Sequence, residues 1–253
     1  MPNENIDVLV QRGSDTARNG FRNEDDVVKK FNDWKNDPDA QSWLKIMEYK
    51  IDEIEKVEAS KITGSHKADV QVKIKIYLRQ AIEAENISIK LVSNPQGFNQ
   101  IDKRWVKKYV ELWAMPKDVE EALKLFTGET SPQKTGLRDP RRMFLDEMDE
   151  ETQAKIIKFF KENKIMVLMD ILKGRDKLAA SWMLIYQKPT NIWTLLPISI
   201  VINYYGTGDV CITSQGSLKI GKIGMQRKGG DGGRDSANML QFKMNPCDIA
   251  NNL

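Results

Sequence analysis

The chain has 253 residues, of which 40% are hydrophobic and 30% charged, a composition typical of a soluble globular protein. No apolar run approaches the roughly 20 residues of a membrane helix, and the start of the chain lacks the basic and apolar regions of a signal peptide. We therefore expect a cytoplasmic protein without a membrane segment. The two cysteines provide no disulfide framework, the single histidine excludes a histidine cluster, and the net charge of +3 leaves any nucleic-acid surface to local clustering of charge.

The first predicted element is an amphipathic helix over residues 19–34, with Val27, Phe31 and Trp34 as its buried stripe. Glu24 lies three residues before Val27, on or beside the inward face. An acid at this position has two interpretations, which the helix alone does not separate. It either complements the helix dipole or provides a second carboxylate for a metal site.

Two strand patterns joined by a short polar segment occupy residues 68–91. In the first, apolar residues alternate with polar ones, which predicts a strand with one dry face and one solvated face. The polar positions of this strand are Asp69, Gln71, Lys73 and Lys75. In the second pattern, Ser88 and Lys90 share the side opposite to the apolar residues. If the two strands pair, an acid, a hydroxyl and an amine converge.

This combination suits metal-assisted cleavage of a phosphodiester, because a hard cation such as Mg²⁺ prefers oxygen ligands and bridges to phosphate. Asp69 is the expected anionic ligand. Ser88 Oγ and the Ile89 carbonyl are the expected neutral ligands, and Lys90 is expected to orient the attacking water or stabilise the transition state. The alternative is an ordinary solvated strand face, which is the commoner meaning of such a pattern.

After Lys90, the sequence Asn94-Pro95-Gln96-Gly97 predicts a turn, followed by a helix whose apolar face runs from Ile101 to Leu112. This interpretation places three residues in a strand-to-helix loop near the proposed metal: Phe98, Asn99 and Gln100. The helix then carries four basic residues: Lys103, Arg104, Lys107 and Lys108. They either contact phosphates or line a solvated helix face.

Helices are predicted over residues 118–126 and after Asp149, and a hairpin of buried strands over residues 165–187. Further strands, predicted over residues 210–212 and 217–228, precede the glycine-rich segment GGDGGR, whose backbone can approach another surface closely. Arginine pairs with guanine O6 and N7, and an acid accepts from cytosine N4, so polar residues here are suited to a GC-rich site. The candidates are Gln226, Arg227, Lys228, Asp231, Arg234 and Asn238. The alternative is a mobile glycine turn.

The spacing of Asp69, Ser88 and Lys90 resembles the D…(E/D/Q)xK core of the PD-(D/E)xK nucleases. The string KLVSNPQGFNQIDKRW, residues 90–105, resembles the small type II restriction endonucleases of the HinP type, which cut at GCGC. The similarity continues through GFRNEDDVVKKFNDW, FTGE, RRMF and QRKGGDGGRDSANMLQFK. Two departures stand out, because Ala68 replaces the proline of the family pattern and Ser88 replaces its Glu, Asp or Gln.

The resemblance implies an α/β fold, a restriction-endonuclease-like mixed β-sheet flanked by α-helices. It implies a single domain over residues 1–253, with residues 206–244 as a β-rich DNA-reading segment. The implied activity is Mg²⁺-dependent cleavage of double-stranded DNA at a short GC-rich palindrome, GCGC, by a monomer or weak homodimer in a prokaryotic cytoplasm. By position, Gln100 becomes a wedge in the base stack, and Glu24 partly compensates for Ser88.

Two other functions fit the same residues. A DNA-binding protein of this fold that has lost its chemistry is compatible with a serine at position 88. A related nuclease with little base preference, serving DNA repair, is the second.

Overall fold

The computed structural model describes residues 23–62, 71–79, 81–230 and 234–252. Its helices are α1 (residues 23–32), α2 (Pro38–Ile46), α3 (Val106–Trp113), α4 (Lys117–Thr127), α5 (Glu150–Glu162), α6 (Lys164–Leu168), α7 (Ile198–Gly206) and α8 (Cys247–Ala250). Its strands are β1 (Ile54–Ile62), β2 (Gln71–Leu78), β3 (Ile82–Val92), β4 (Asn99–Arg104), β5 (Trp182–Gln187), β6 (Ile192–Pro197), β7 (Val210–Ile212), β8 (Leu218–Ile220), β9 (Ile223–Arg227) and β10 (Leu240–Met244).

The chain divides into two compact units, each containing one five-stranded sheet. The first, the sheet A unit, is drawn, among the described residues, from 23–62, 71–79, 81–99, 172–201 and 245–252, and its strands follow the order β1-β2-β3-β5-β6. The second, the sheet B unit, is drawn mainly from residues 100–171 and 202–244, with the order β4-β10-β9-β8-β7. The mixed α/β architecture is confirmed, with two sheets in place of one.

Sheet A is mixed because β3 and β5 run parallel, whereas its other neighbouring strands are antiparallel. One face of its central strands is apolar, as the alternation predicts, and Val72, Ile74 and Ile87 are fully buried. These residues form one core cluster with Val27 and Phe31 of α1. Full burial of each such side chain contributes about 1.5–3 kcal/mol, so this face fixes which side of the sheet the helices cover.

Helix α2 begins where the sequence provides its two strongest start signals. The Asp37 side chain accepts a hydrogen bond from the Ala40 amide at 2.9 Å, and Pro38 occupies the first helical turn, where no amide hydrogen is needed. Trp43 and Leu44 then pack into the core cluster shared with α1. The cap and the apolar stripe together hold α2 against sheet A.

Two predicted elements are wrong. Gln100 lies in strand β4, not in a loop, and the following helix begins only at Val106. The run over residues 165–172 is helical, with α6 continuing into a π-helical turn over Met169–Lys173, and is not a strand of a hairpin. A short apolar run has no period that separates a buried helix from a buried strand.

Candidate active site and DNA-binding segment

Ser88 and Lys90 lie two residues apart on β3, so their side chains leave the same face of sheet A. This is the face opposite to the one covered by α1, and yet Ser88 is fully buried and Lys90 is only 4% exposed. An ordinary solvated strand face is therefore wrong for these two residues. Their register partners on β5, Met183 and Ile185, are also fully buried, so other parts of the chain cover this end of the face.

Gln71 is a further buried polar residue on this face, although the alternation of β2 predicts a solvated side chain. The antiparallel register places Gln71 directly opposite Ser88, and Gln71 is 4% exposed. The signals that point to it are its position two residues after Asp69 and its pairing with Ser88. Asp69 itself lies outside the described residues, so its convergence with Lys90 stays a prediction.

Two buried polar atoms at this pair, Gln71 Nε2 and Ser88 Oγ, have no hydrogen-bond partner among the described residues. A buried donor or acceptor left without a partner costs about 1–3 kcal/mol. Most buried polar groups in proteins are paired, so an unpaired one requires an explanation such as a water, an ion or a catalytic role. The unpaired atoms of Gln71 and Ser88 therefore lower the stability of the fold on the same face as Lys90.

Glu24 is buried on α1, at 6% exposure, and its Oε2 lies 3.9 Å from the Lys61 ammonium. Lys61 pairs with Val72 across β1 and β2, so it projects from the α1-covered face of sheet A. Glu24 and Lys90 therefore approach the sheet from opposite sides. The role of Glu24 as a second metal ligand stays a prediction.

The available donor set fits a hard divalent cation better than a soft one. No group of three His, Cys, Asp or Glu side chains that could hold a metal occurs within the described part of the chain. Sheet A does bring together two neutral oxygen-bearing groups, the Ser88 hydroxyl and the Gln71 amide. Gln71 lies two residues after Asp69 in the sequence. Mg²⁺ accepts such neutral oxygens beside one or two carboxylates.

The segment that follows β9 begins as a narrow hairpin end in the sheet B unit. Gln226 and Arg227 pair with Gln241 and Leu240 of β10. Gly229 and Gly230 then adopt φ angles of 63° and 64°, the left-handed region that favours glycine. Asp231 lies outside the described residues. Arg234 is exposed to solvent.

Asn238 holds Arg227 and ties it to the end of α4. Its Oδ1 accepts hydrogen bonds from Arg227 Nη2 at 2.6 Å and Arg227 Nε at 3.2 Å, while its Nδ2 donates to the Gly128 carbonyl at 3.1 Å. Burial, followed by the nearby charge of Arg141, lowers the pKa of Arg227. The guanidinium is therefore oriented in a cationic neighbourhood before any ligand arrives.

The segment RRMF, residues 141–144, accounts for that cationic neighbourhood. Arg141 makes a two-pronged contact with Asp139, with its Nε 2.9 Å and its Nη2 3.0 Å from the carboxylate oxygens. Arg142 stacks 3.9 Å above the Phe144 ring and reaches Asp139 at 3.6 Å. Burial and the charge of Arg227 lower the pKa of Arg142. Asp139 thus faces several arginines, and the cluster carries excess positive charge.

The residues after the turn at Pro95 differ in their surroundings. Phe98 is 61% exposed, and Asn99 donates to the Leu91 carbonyl at 2.8 Å within the sheet A unit. Gln100 and Lys103 are partly exposed on β4. Their predicted contacts with DNA stay predictions.

Arg104 belongs to a buried ion network inside the sheet B unit. Its guanidinium lies 2.8 Å from Asp170 and 3.2 Å from Asp102, and Trp113 Nε1 also donates to Asp170 at 3.0 Å. Burial opposes the charge, but the two acids outweigh it and raise the pKa of Arg104. This network gives Arg104 a structural role, and its predicted phosphate contact stays a prediction.

The architecture is that of a restriction endonuclease. It matches the crystal structure of the restriction endonuclease MspI in complex with its cognate DNA, with a TM-score of 0.62 and 15% identity, over 96% of this chain and 100% of that one. A protein-family model described as R.HinP1I restriction endonuclease matches residues 47–250. The chain therefore belongs to the R.HinP1I restriction endonuclease family. No curated protein matches the sequence.

Membership defines the enzyme as a type II site-specific deoxyribonuclease, which binds DNA and cleaves it at a defined sequence. Restriction endonucleases generally use divalent metal ions. Among the described residues, no helix is long and apolar enough to cross a membrane.

Proposed function

We propose that this enzyme is Mg²⁺-dependent and cuts double-stranded DNA at a short GC-rich palindrome, GCGC. The observation that carries the proposal is the buried polar face of β3. Ser88, with a hydroxyl that has no hydrogen-bond partner among the described residues, stands beside a buried lysine at the spacing of the D…(E/D/Q)xK core. An unpaired buried polar atom calls for an explanation, and a catalytic role is one that fits this position.

Asp69 is the proposed anionic ligand, with Ser88 Oγ and the Ile89 carbonyl as neutral ligands. Glu24 is kept as the predicted second carboxylate, but it approaches sheet A from the side opposite to Ser88 and Lys90. A cation held there supplies Lewis-acid polarisation of the phosphate and an activated water. The Lys90 ammonium orients the attacking water and stabilises the negative charge that develops on the phosphate. Burial strengthens this electrostatic effect, because the surrounding protein screens charge less than water does.

Base reading is assigned to the segment around β9 and β10. Arg227, Lys228 and Arg234 are proposed to donate to guanine edges, and Asp231 to accept from cytosine. Gln226 and Asn238 complete this set. Phe98, Asn99 and Gln100 are proposed to approach the base stack, with Gln100 as the wedge, and Lys103 and Arg104 to contact phosphates.

A palindromic site presents the same edges on both strands, so complete cleavage requires two active sites or two successive nicks. We propose a monomer or weak homodimer that acts in a prokaryotic cytoplasm. Sedimentation velocity with and without a GCGC duplex distinguishes these states.

The decisive experiment is incubation of plasmid DNA with the purified protein and Mg²⁺, followed by sequencing of the product ends. Discrete fragments that all end within GCGC support the proposal. Fragments that end within another sequence retain the activity and refute the site. A smear of ends indicates a nuclease with little base preference.

A second candidate, a DNA-binding protein without cleavage activity, is favoured by one specific feature, the serine at position 88. A binder retards plasmid and duplex DNA in gels and leaves both intact with Mg²⁺ or Mn²⁺. The same incubation therefore separates the two functions.

A further inference from the structure

Gln71 and Ser88 face each other across two paired strands of sheet A, and both are almost completely buried. Directly opposite residues of an antiparallel pair project from the same face, with Cβ atoms about 4.5–5.5 Å apart. Lys90 follows on that face, two residues along β3. The amide, the hydroxyl and the ammonium therefore share one buried face of sheet A.

Gln71 Nε2 and Ser88 Oγ lack hydrogen-bond partners among the described residues, and both are inaccessible to solvent. A carboxamide offers either an oxygen or a nitrogen after half a turn about its last torsion, and a hydroxyl also donates or accepts. Both groups can thus present oxygen to a cation or to water bound to it.

The lengths of the two side chains supply the next step. At position 88, the D…(E/D/Q)xK spacing provides a carboxylate or an amide, whereas serine provides only a hydroxyl after one carbon. Gln71 starts from the strand position directly opposite and carries an amide on a longer stem. It follows Asp69 by two positions in the sequence, so both belong to the same stretch of chain.

We propose that Gln71 is a further ligand-holding residue of the active site. Its amide oxygen, beside Ser88 Oγ, holds the divalent cation or one of its waters, and so supplies from β2 the carboxamide or carboxylate oxygen that serine lacks on β3. This inference rests on the proposed metal-dependent function. In this inference the Gln71 amide serves to bind a ligand. In the alternative, the amide stabilises the folded protein and binds nothing.

The two roles predict opposite effects on stability. Replacing an unsatisfied buried amide with an apolar side chain of similar shape is neutral or stabilising, whereas removing a paired one destabilises. Gln71→Met is therefore expected to keep or raise the midpoint of urea unfolding. Gln187→Met is the matched control, because Gln187 is another buried strand glutamine of sheet A, and its Oε1 accepts from Cys247 Sγ at 3.4 Å. The control is expected to lower the midpoint.

Metal binding is measured by electron paramagnetic resonance of Mn²⁺, on the protein and on its complex with a GCGC duplex, with the duplex alone as blank. Gln71→Met is expected to weaken Mn²⁺ binding about 10-fold or more, whereas Gln187→Met leaves it unchanged. Gln71→Glu places a carboxylate at the same reach and is expected to tighten it. Adding Ser88→Gln to Gln71→Met is expected to restore it, since the long amide returns from β3.

Three results overturn the inference. They are unchanged Mn²⁺ affinity in Gln71→Met, a loss of stability in Gln71→Met equal to that of the control, or no restoration by Ser88→Gln. In each case the wild-type enzyme still binds metal and cuts, so the proposed function stands. A wild-type complex that retains no Mn²⁺ and leaves DNA intact overturns the proposed function itself, and the inference with it.

Discussion

Lys90 is a buried cation on the central strand of sheet A, where charge is rarely placed without a use. We expect Lys90→Ala to lower the rate of DNA cleavage by a factor of about 10² to 10³, the range for loss of one preorganised electrostatic group. Binding of a GCGC duplex is expected to change little, since the assigned role belongs to the transition state. Both quantities are measured with single-turnover cleavage and with gel retardation.

The matched control for this experiment is Lys73→Ala, a lysine of β2 that is partly exposed and pairs with Asn86. Its cleavage rate is expected to equal that of the wild type. If Lys90→Ala loses binding and cleavage in the same proportion, Lys90 supports the fold or the DNA complex and not the chemistry.

Arg234 is exposed at the end of the glycine segment, and its proposed partner is a guanine edge. Loss of one bidentate contact is expected to weaken cognate binding by about 1–3 kcal/mol. Affinity for unrelated DNA is expected to stay the same, because that affinity comes from phosphate contacts. Titrations of Arg234→Ala with a GCGC duplex and a scrambled duplex test the difference. An equal loss on both duplexes assigns Arg234 to the backbone.

Among the secondary-structure elements, strands with one apolar face are predictable from the sequence, whereas a strand whose pairing partner is distant in the chain is not. Alternation from Val72 to Ile76 identified β2, because that face packs on α1 within the same unit. Strand β4 was missed, since it pairs with β10, about 140 residues later, and Ile101, Trp105 and Tyr109 mimic a helical period. The burial of Gln71 is unpredictable for a related reason. Period-2 alternation shows which residues share a strand face, but it does not show what packs over a polar face.

The ionised carboxylate of Asp139 contributes to the stability of the segment over residues 138–147, so that contribution depends on pH with a known sign. The hydrogen bond from Arg141 is the main cause that lowers the pKa of Asp139 to about 2, from an ordinary value of 3.8. Because the folded pKa is depressed, this stabilisation is present above pH 3.8 and is lost as the pH falls towards 2. Protection of the amides of residues 138–147, corrected for the intrinsic exchange rate at each pH, is expected to fall across that interval.

The control for the acid experiment is Asp139→Asn, in which this contribution to the acid-induced loss of protection is expected to vanish. Protection in the segment is then low already at neutral pH. If wild type and variant show the same pH profile, the Arg141 contact does not hold the segment.

At the scale of the whole molecule, a net charge of +3 gives little long-range attraction to DNA, so affinity must come from local contacts. Lys107 is exposed on α3 and is one candidate for a phosphate contact. Each phosphate neutralised contributes about 0.9 to the slope of log affinity against log salt. Lys107→Ala is therefore expected to reduce the magnitude of that slope by about 0.9 on cognate and scrambled duplexes alike, as measured by fluorescence anisotropy.

Lys158→Ala provides the comparison, because Lys158 is an exposed lysine on α5 that lies 3.9 Å from Glu162, and we assign it no contact with DNA. Its salt slope is expected to match the wild type. If the slope of Lys107→Ala also matches, Lys107 is a solvent-facing residue, and the cations that bind phosphate must lie elsewhere. The arginine cluster around Asp139 is then the first place to test. It carries excess positive charge, and two of its guanidinium groups are held in place, Arg142 against Phe144 and Arg227 by Asn238.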